Sequence, residues 1–191
     1  MNTNISMKGL ASVEHAQPDS FFASYAATKP VPTPIKAGDR LRLQLEVSDE
    51  AWLYAVGAFR QAEYWKMGQW RPGEGAEGGI RTPWPAGHIL TAEQARMNTM
   101  FVIASSQKLD WVENLTNKDC SALVGQMPPD PPKNECDHLY GLFWKVPSRV
   151  RGRVPPPVEY FTTADGTRLP AIVASQSGAP YTAVEWLFKP R

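Results

Sequence analysis

Two cysteines, three histidines and seven tryptophans carry the most specific chemistry in this 191-residue chain. Cys120 and Cys136 enclose a proline-rich stretch, with Asp119, Asp137 and His138 beside them. A metal site would need Cys120, Cys136, His138 and a carboxylate to converge, yet paired CxxC or HxxxH spacing is absent. A Cys-His nucleophile has no flanking motif behind it. The reading therefore favours a Cys120–Cys136 disulfide, ahead of free buried thiols and of a metal site. Closing a loop of about 15 residues stabilises a fold by roughly 3 kcal/mol in the chain-entropy model, which suits a segment with little core of its own. No metal and no cofactor are expected.

Histidine is the side chain best suited to proton transfer near neutrality. His15 lies in a polar lead-in and His88 at a loop end, so both read as surface residues rather than bases. The stretch Gly73 to Gly78 (GEGAEG) formally matches GxGxxG, the turn that brings backbone amides to a pyrophosphate. Its context fails: Pro83 and Pro85 intervene before any helix, and Glu74 and Glu77 would repel phosphate. There is no P-loop, HExxH or GxSxG. Carboxylates are plentiful, but one sequence cannot place two of them at the roughly 5 to 9 Å a glycosidase needs.

Trp65, Trp70 and Trp84 flank or sit in a Gly/Pro-rich stretch, whereas Trp52, Trp111, Trp144 and Trp186 stand in apolar contexts. Loop tryptophans can form a platform for a sugar ring or an anchor for a protein partner. They can equally plug the ends of a β-sandwich. The candidate binding set is Trp65, Trp70, Trp84 and His88, centred on the loop from Trp70 to His88. Arg149, Arg151 and Arg153 alternate and read as a solvated strand edge that deters edge-to-edge pairing.

The elements that must position these residues are short. Proline, 18 of 191, is nearly double its usual share of about 5%, so long helices are not expected. Residues 1–19 read as a flexible lead-in, and Ser20 to Ala27 as a first strand. Arg40 to Val47 alternates without fault, with Leu41, Leu43, Leu45 and Val47 on one face. Trp52 to Phe59 is nearly all apolar, as a strand covered on both faces would be, and the two runs read as a hairpin. Gln61 to Trp70 is a third strand. The segment Trp70 to Gly87, with five Gly and three Pro, is a long loop. Thr91 with Gln94 makes a capping box. Thr99 to Ser105 is strand, Asn117 and Gly125 bracket a short helix, and Leu139 to Val146 is of open type. The end of the chain reads as Val158 to Thr162, an Asp165-Gly166 turn, Leu169 to Ala174, and Tyr181 to Phe188. The fold class is mainly β, a β-sandwich of immunoglobulin-like or jelly-roll-like form with one or two short helices, in a single domain over 20–191.

The run AGDRLRL from Ala37, then AWLYAV from Ala51, Trp70-Arg71-Pro72, and FVIASS from Phe101 resembles a bacterial domain of unknown function. Its hallmark is a "GDRLR" strand followed by a "YLYV" strand. That family is attached to caspase-like proteases and kinases, and to the extracytoplasmic ends of myxobacterial anti-sigma factors. The Met7-Lys8-Gly9 lead-in is similar to the segment before the domain in the anti-sigma group. The resemblance covers about Met7 to Leu115; the Gly-rich loop and the stretch Thr116 to Arg191 depart from it. It implies a β-sandwich sensory or recognition module without established catalytic residues.

With 20 basic and 19 acidic residues the chain lacks the charge excess of a nucleic-acid binder. No apolar run approaches a membrane span, and Met1 to Ser20 lacks a signal-peptide pattern. The expected function is a non-enzymatic recognition or sensor domain, periplasmic or at the cell surface, binding a protein partner or small ligand, with no nucleic acid and no membrane insertion by this segment. A carbohydrate-binding module using exposed Trp, and a small hydrolase around His138, are the alternatives.

Overall fold

The unbroken alternation of Arg40 to Val47 does what it should: Leu41, Leu43 and Leu45 are fully buried, while Arg42 and Gln44 face outward. Around it, the computed structural model describes residues 5–16, 21–26, 32–77, 79–145, 158–162, 166, 168–175 and 181–191. The strands in chain order are β1 (Ser6–Ala16), β2 (Phe21–Ala26), β3 (Thr33–Ile35), β4 (Arg40–Val47), β5 (Trp52–Phe59), β6 (Glu63–Trp70), β7 (Ala76–Glu77), β8 (Ile80–Arg81), β9 (His88–Ile89), β10 (Thr99–Ser105), β11 (Asn117–Asp119), β12 (Val158–Thr162), β13 (Arg168–Ser175) and β14 (Tyr181–Pro190). Two short helices, α1 (Asp110–Glu113) and α2 (Glu135–Lys145), accompany them.

The strands form two sheets, so the chain is a β-sandwich. The first has the order β12-β13-β1-β4-β8-β7, with β2 also on β1 and β9 also on β4. The second runs β11-β6-β5-β10-β14-β3, antiparallel except for the parallel pair β14–β3. Between them lies one core, built from Met7, Ala11 and Val13, the three leucines of β4, Leu53, Met100, Val102, Val184, Trp186 and Phe188.

A second cluster covers the other face of the second sheet. Tyr54, Val56, Tyr64, Phe101, Ile103 and Ala183 pack there against Leu109 and Val112 of the α1 region and Leu139, Leu142 and Phe143 of α2. The two-sided burial expected of Trp52 to Phe59 is therefore real, with Leu53 and Ala55 in one core and Tyr54 and Val56 in the other.

Three expectations are corrected. The lead-in 1–19 contains the longest strand, β1, which pairs with β4 from Met7↔Val47 to Glu14↔Arg40. Its inward positions include Gly9 and Ala11, too small to register as hydrophobic alternation. A Cβ at Gly9 would lie 2.9 Å from the Trp186 ring, so the tryptophan of the opposite sheet fills the space that the glycine leaves. Second, β4 and β5 are not a hairpin. β4 pairs with β1, β8 and β9, β5 with β6 and β10, so the turn at Ser48–Asp49 carries the chain from one sheet to the other. Third, Asn117 opens no helix: Asn117–Asp119 extends the edge of β6, and only a 3-10 turn, Ser121–Leu123, follows. Leu139 to Lys145 of the segment of open type lie in α2, which Asn134 caps by accepting the Asp137 N–H at 3.0 Å, while Val146 falls outside the described residues. At the C-terminal end β12 and β13 pair antiparallel, but β14 lies in the other sheet. Arg149, Arg151 and Arg153 fall outside the described residues.

Cys120 and Cys136 form a disulfide, their Cα atoms 5.4 Å apart. It ties the edge beyond β11 to the first turn of α2, the helix that covers the second sheet. The bridge closes a separation of 16 residues, so replacing both cysteines by serine is expected to cost about 3 kcal/mol. Urea unfolding should show this as a lower midpoint together with a steeper slope, because the uncrosslinked denatured chain exposes more surface. An unchanged midpoint would mean that helix packing alone holds α2.

Candidate functional site

The loop beyond β6 is anchored rather than loose. Arg81, 5% exposed, sends its guanidinium under the loop, where it donates to the backbone carbonyls of Glu74 (2.8 Å), Arg71 (2.8 Å) and Ala51 (2.9 Å). Burial lowers its pKa, partly offset by the charges of Glu74 and Glu50. Glu74 in turn closes the tight turn from above, its carboxylate accepting the Arg71 N–H at 2.8 Å. Pairing of β8 and β9 with β4 holds the far side of the loop. Gly87 has φ +81°, and a Cβ there would meet Arg40 Cγ at 2.5 Å, so only glycine lets the loop approach β4. The GxGxxG match runs into β7, a strand, not a helix.

The four proposed binding residues are divided by the structure. Trp70, Trp84 and His88 come together: Trp70 meets Trp84 edge to face at 5.2 Å, and His88 stacks on Trp84 at 4.8 Å. His88 Nε2 lies 2.8 Å from Gln94 Oε1, the glutamine of the Thr91 capping box, whose two reciprocal hydrogen bonds are both present. Trp65 sits apart on β6, over Gly57. Trp65 and Trp70 are buried at 5% and 8% exposure, and Trp84 is half-buried against the core. A bulge in β6 opposite Ala55–Val56 shifts the strand's phase, so that Trp70 joins Trp65 and Met67 on the inner face. Their rings fill the sandwich, and a stacking platform of three exposed tryptophans is not present.

What the loop does expose is polar. A cleft of about 570 Å³ opens between Gln69, Arg71, Pro72 and Glu74. Beside it, on the outer face of the second sheet, Glu113 accepts hydrogen bonds from Tyr54 (2.8 Å) and Gln69 Nε2 (2.8 Å). Lys66 Nζ donates to Gln69 Oε1 (2.9 Å) and to the Glu113 carbonyl (2.6 Å). Burial by itself would raise the Glu113 pKa. The hydrogen bonds from Tyr54 and Gln69, with the charges of Lys108 and Lys66, outweigh it and hold the carboxyl below its usual value. Burial pushes the Tyr54 hydroxyl up to about 12, so it remains a donor to that carboxylate.

A folded-state pKa below the unfolded one makes Glu113 stabilising above the ordinary carboxylate range, an effect lost as pH falls through the lowered value. Glu113→Gln is therefore expected to flatten the acid limb of the stability profile. Chemical denaturation across that range checks this, and an acid limb identical to that of the parent would contradict it.

The region around His138 offers different chemistry. Both cysteines are oxidised, His138 stacks on Trp111 at 4.9 Å and 4°, and Asp137 accepts the Lys133 N–H at 2.9 Å. Among the described residues no cluster of three or more His, Cys, Asp or Glu side chains could hold a metal ion. His15, read as a surface residue, is buried: its Nδ1 lies 2.8 Å from the fully buried carboxylate of Asp39.

The fold and site define a disulfide-bonded, two-sheet β-sandwich with one helix-covered face and a polar cleft at a stapled loop. Comparison with protein-family models, curated proteins and solved structures finds no match to this chain.

Arg81 and the Glu113 network are the residues that sequence reasoning missed. Arg81 binds carbonyls up to 30 positions away, and no local pattern encodes such a partner.

Proposed function

We propose that this domain is a non-enzymatic recognition module from the extracytoplasmic part of a bacterial envelope or signalling protein, binding a protein partner or small ligand through the loop that follows β6. The observation that carries this reading is the cleft between Gln69, Arg71, Pro72 and Glu74, set on a turn that Arg81 fastens from below. Loops held by a rigid β scaffold commonly carry binding, and a pre-formed cleft binds at a lower entropic cost than a loop that must order. The disulfide supports an oxidising compartment. Among the described residues no helix is long and apolar enough to cross a membrane. The resemblance of the runs Ala37 to Leu43 and Ala51 to Val56 to a bacterial domain read as a sensory or recognition module points the same way.

Burial of Trp65 and Trp70 weighs against a sugar platform built from those rings. The test is a glycan array beside a peptide library, each probed with the parent domain and with a Gln69→Ala/Arg71→Ala variant. Hits that the variant loses at unchanged thermal stability support the reading. Hits retained in full by the variant place recognition elsewhere.

A further inference from the structure

Lys66 fixes the direction of one side chain that lines the cleft. An ammonium group only donates, so the Gln69 amide must turn its oxygen to Lys66 Nζ and its nitrogen away. One Nε2–H then goes to Glu113 Oε2, and the second has no partner among the described residues. Several acceptors nearby are engaged in the same way, although Glu74 Oε1 takes no donor among the described residues. Glu113 Oε1 takes the Tyr54 hydroxyl, Glu74 Oε2 takes the Arg71 N–H, and the carbonyls of Arg71 and Glu74 take the Arg81 guanidinium.

Arg71 is the counterpart. It is exposed, and its guanidinium has no hydrogen-bond or ion-pair partner among the described residues. Glu74 brings a negative charge to the same cleft, but its carboxylate is held on the Arg71 N–H and interacts with the buried Arg81 charge. Arg71 and Gln69, both lining the cleft, thus bring a guanidinium fork and an amide N–H that have no partner among the described residues.

We propose that this cleft binds a carboxylate group, gripped by the Arg71 fork and completed by the Gln69 amide. The inference rests on the recognition reading above and names the chemistry of its ligand. Planar, two-pronged pairing with a guanidinium is the geometry a carboxylate satisfies best. A volume of about 570 Å³ suits a single small molecule or a chain end. The carboxylate can come from a free sugar acid or from a peptide C-terminus, and the test separates the two.

The test titrates the whole domain with glucuronate and with acetyl-glycyl-glycine, each against its neutral counterpart, glucose or the peptide amide. NMR follows the Gln69 side-chain amide and the Arg71 Nε–H. The expected result is that one or both carboxylates shift these signals while the neutral counterparts do not. Which acid binds tighter identifies the source. Arg71→Ala, which removes no contact of the fold, should weaken binding by about tenfold or more. Arg71→Lys should restore only part, because it keeps the charge without the fork. Neutral compounds binding as well as the acids, or full affinity in Arg71→Ala, would overturn the carboxylate assignment while leaving the loop as a recognition site. Silence of these signals toward all four compounds overturns the assignment as well; the glycan and peptide screen then judges the recognition reading on its own.

Discussion

Asp39→Ala is expected to be among the most destabilising single substitutions in this protein, at about 3 to 5 kcal/mol. The side chain is fully buried and ties the end of β1 to the turn before β4. Its Oδ2 accepts from His15 Nδ1 at 2.8 Å and from the Lys36 N–H at 3.0 Å, while Oδ1 accepts from the Ala16 N–H at 3.0 Å. A carboxylate accepts only, so Nδ1 of His15 donates to it, while Arg191 Nη2 lies 3.1 Å from Nδ1 and 3.3 Å from Nε2 of the same ring. Removing the carboxylate strands two backbone donors and the imidazole N–H in a space that water reaches poorly, and each stranded donor costs about 1 to 3 kcal/mol. Asp39→Asn keeps an acceptor oxygen and should recover part of the loss. Urea denaturation of the three proteins checks the order, parent above Asn above Ala. A loss below about 1 kcal/mol for Ala would show that the ends of β1 and β4 are held by strand pairing alone.

Trp70→Ala should cost a similar amount, about 3 to 5 kcal/mol, because it empties an indole-sized volume from the core. The ring is 8% exposed, contacts Trp84 edge to face, and lies so close over Gly68 that a Cβ there would be 2.3 Å from it. The half-buried Trp84 loses less on truncation, since one part of its ring already faces solvent and another rests on His88. The same pair of variants separates a packing role from a binding role. In a packing role, stability falls steeply for Trp70→Ala while the folded fraction binds the cleft's ligand as the parent does. A folded, stable Trp70→Ala that has lost binding would instead assign the ring to the recognition surface.

How the residues divide between local and long-range causes explains what could be read in advance. Arg40 to Val47 carries its strand in its own alternation and Trp52 to Phe59 in a nearly unbroken apolar run, because both patterns are properties of neighbouring residues. The capping box of Thr91 and Gln94 is equally local, formed within a span of three residues. With only two cysteines, a disulfide had a single possible pairing, and the pair is joined. A proline-rich composition, the Arg40 to Val47 alternation, the apolar run beside it and the C-terminal turn signals together indicated a mainly β fold.

Partnership between strands was another matter. Whether the turn after Val47 closes a hairpin or crosses to the opposite sheet depends on which strand arrives beside β4. That strand is β1, whose inward glycine and alanine make sense only once Trp186 stands across from them. The fate of the tryptophans was decided in the same way, by a bulge in β6 and by glycines that leave room for flat rings. Arg81, Asp39 and Glu113 take their meaning from carbonyls and donors tens of residues distant, and only the folded chain sets those distances. The amino-acid sequence by itself determined the strands whose pattern is local, β4 and β5 among them, and the single pairing open to its two cysteines. Tertiary structure alone decided that the loop's tryptophans belong to the core and that its polar corner is what faces outward, because burial is a property of the assembled sheets and not of any one segment.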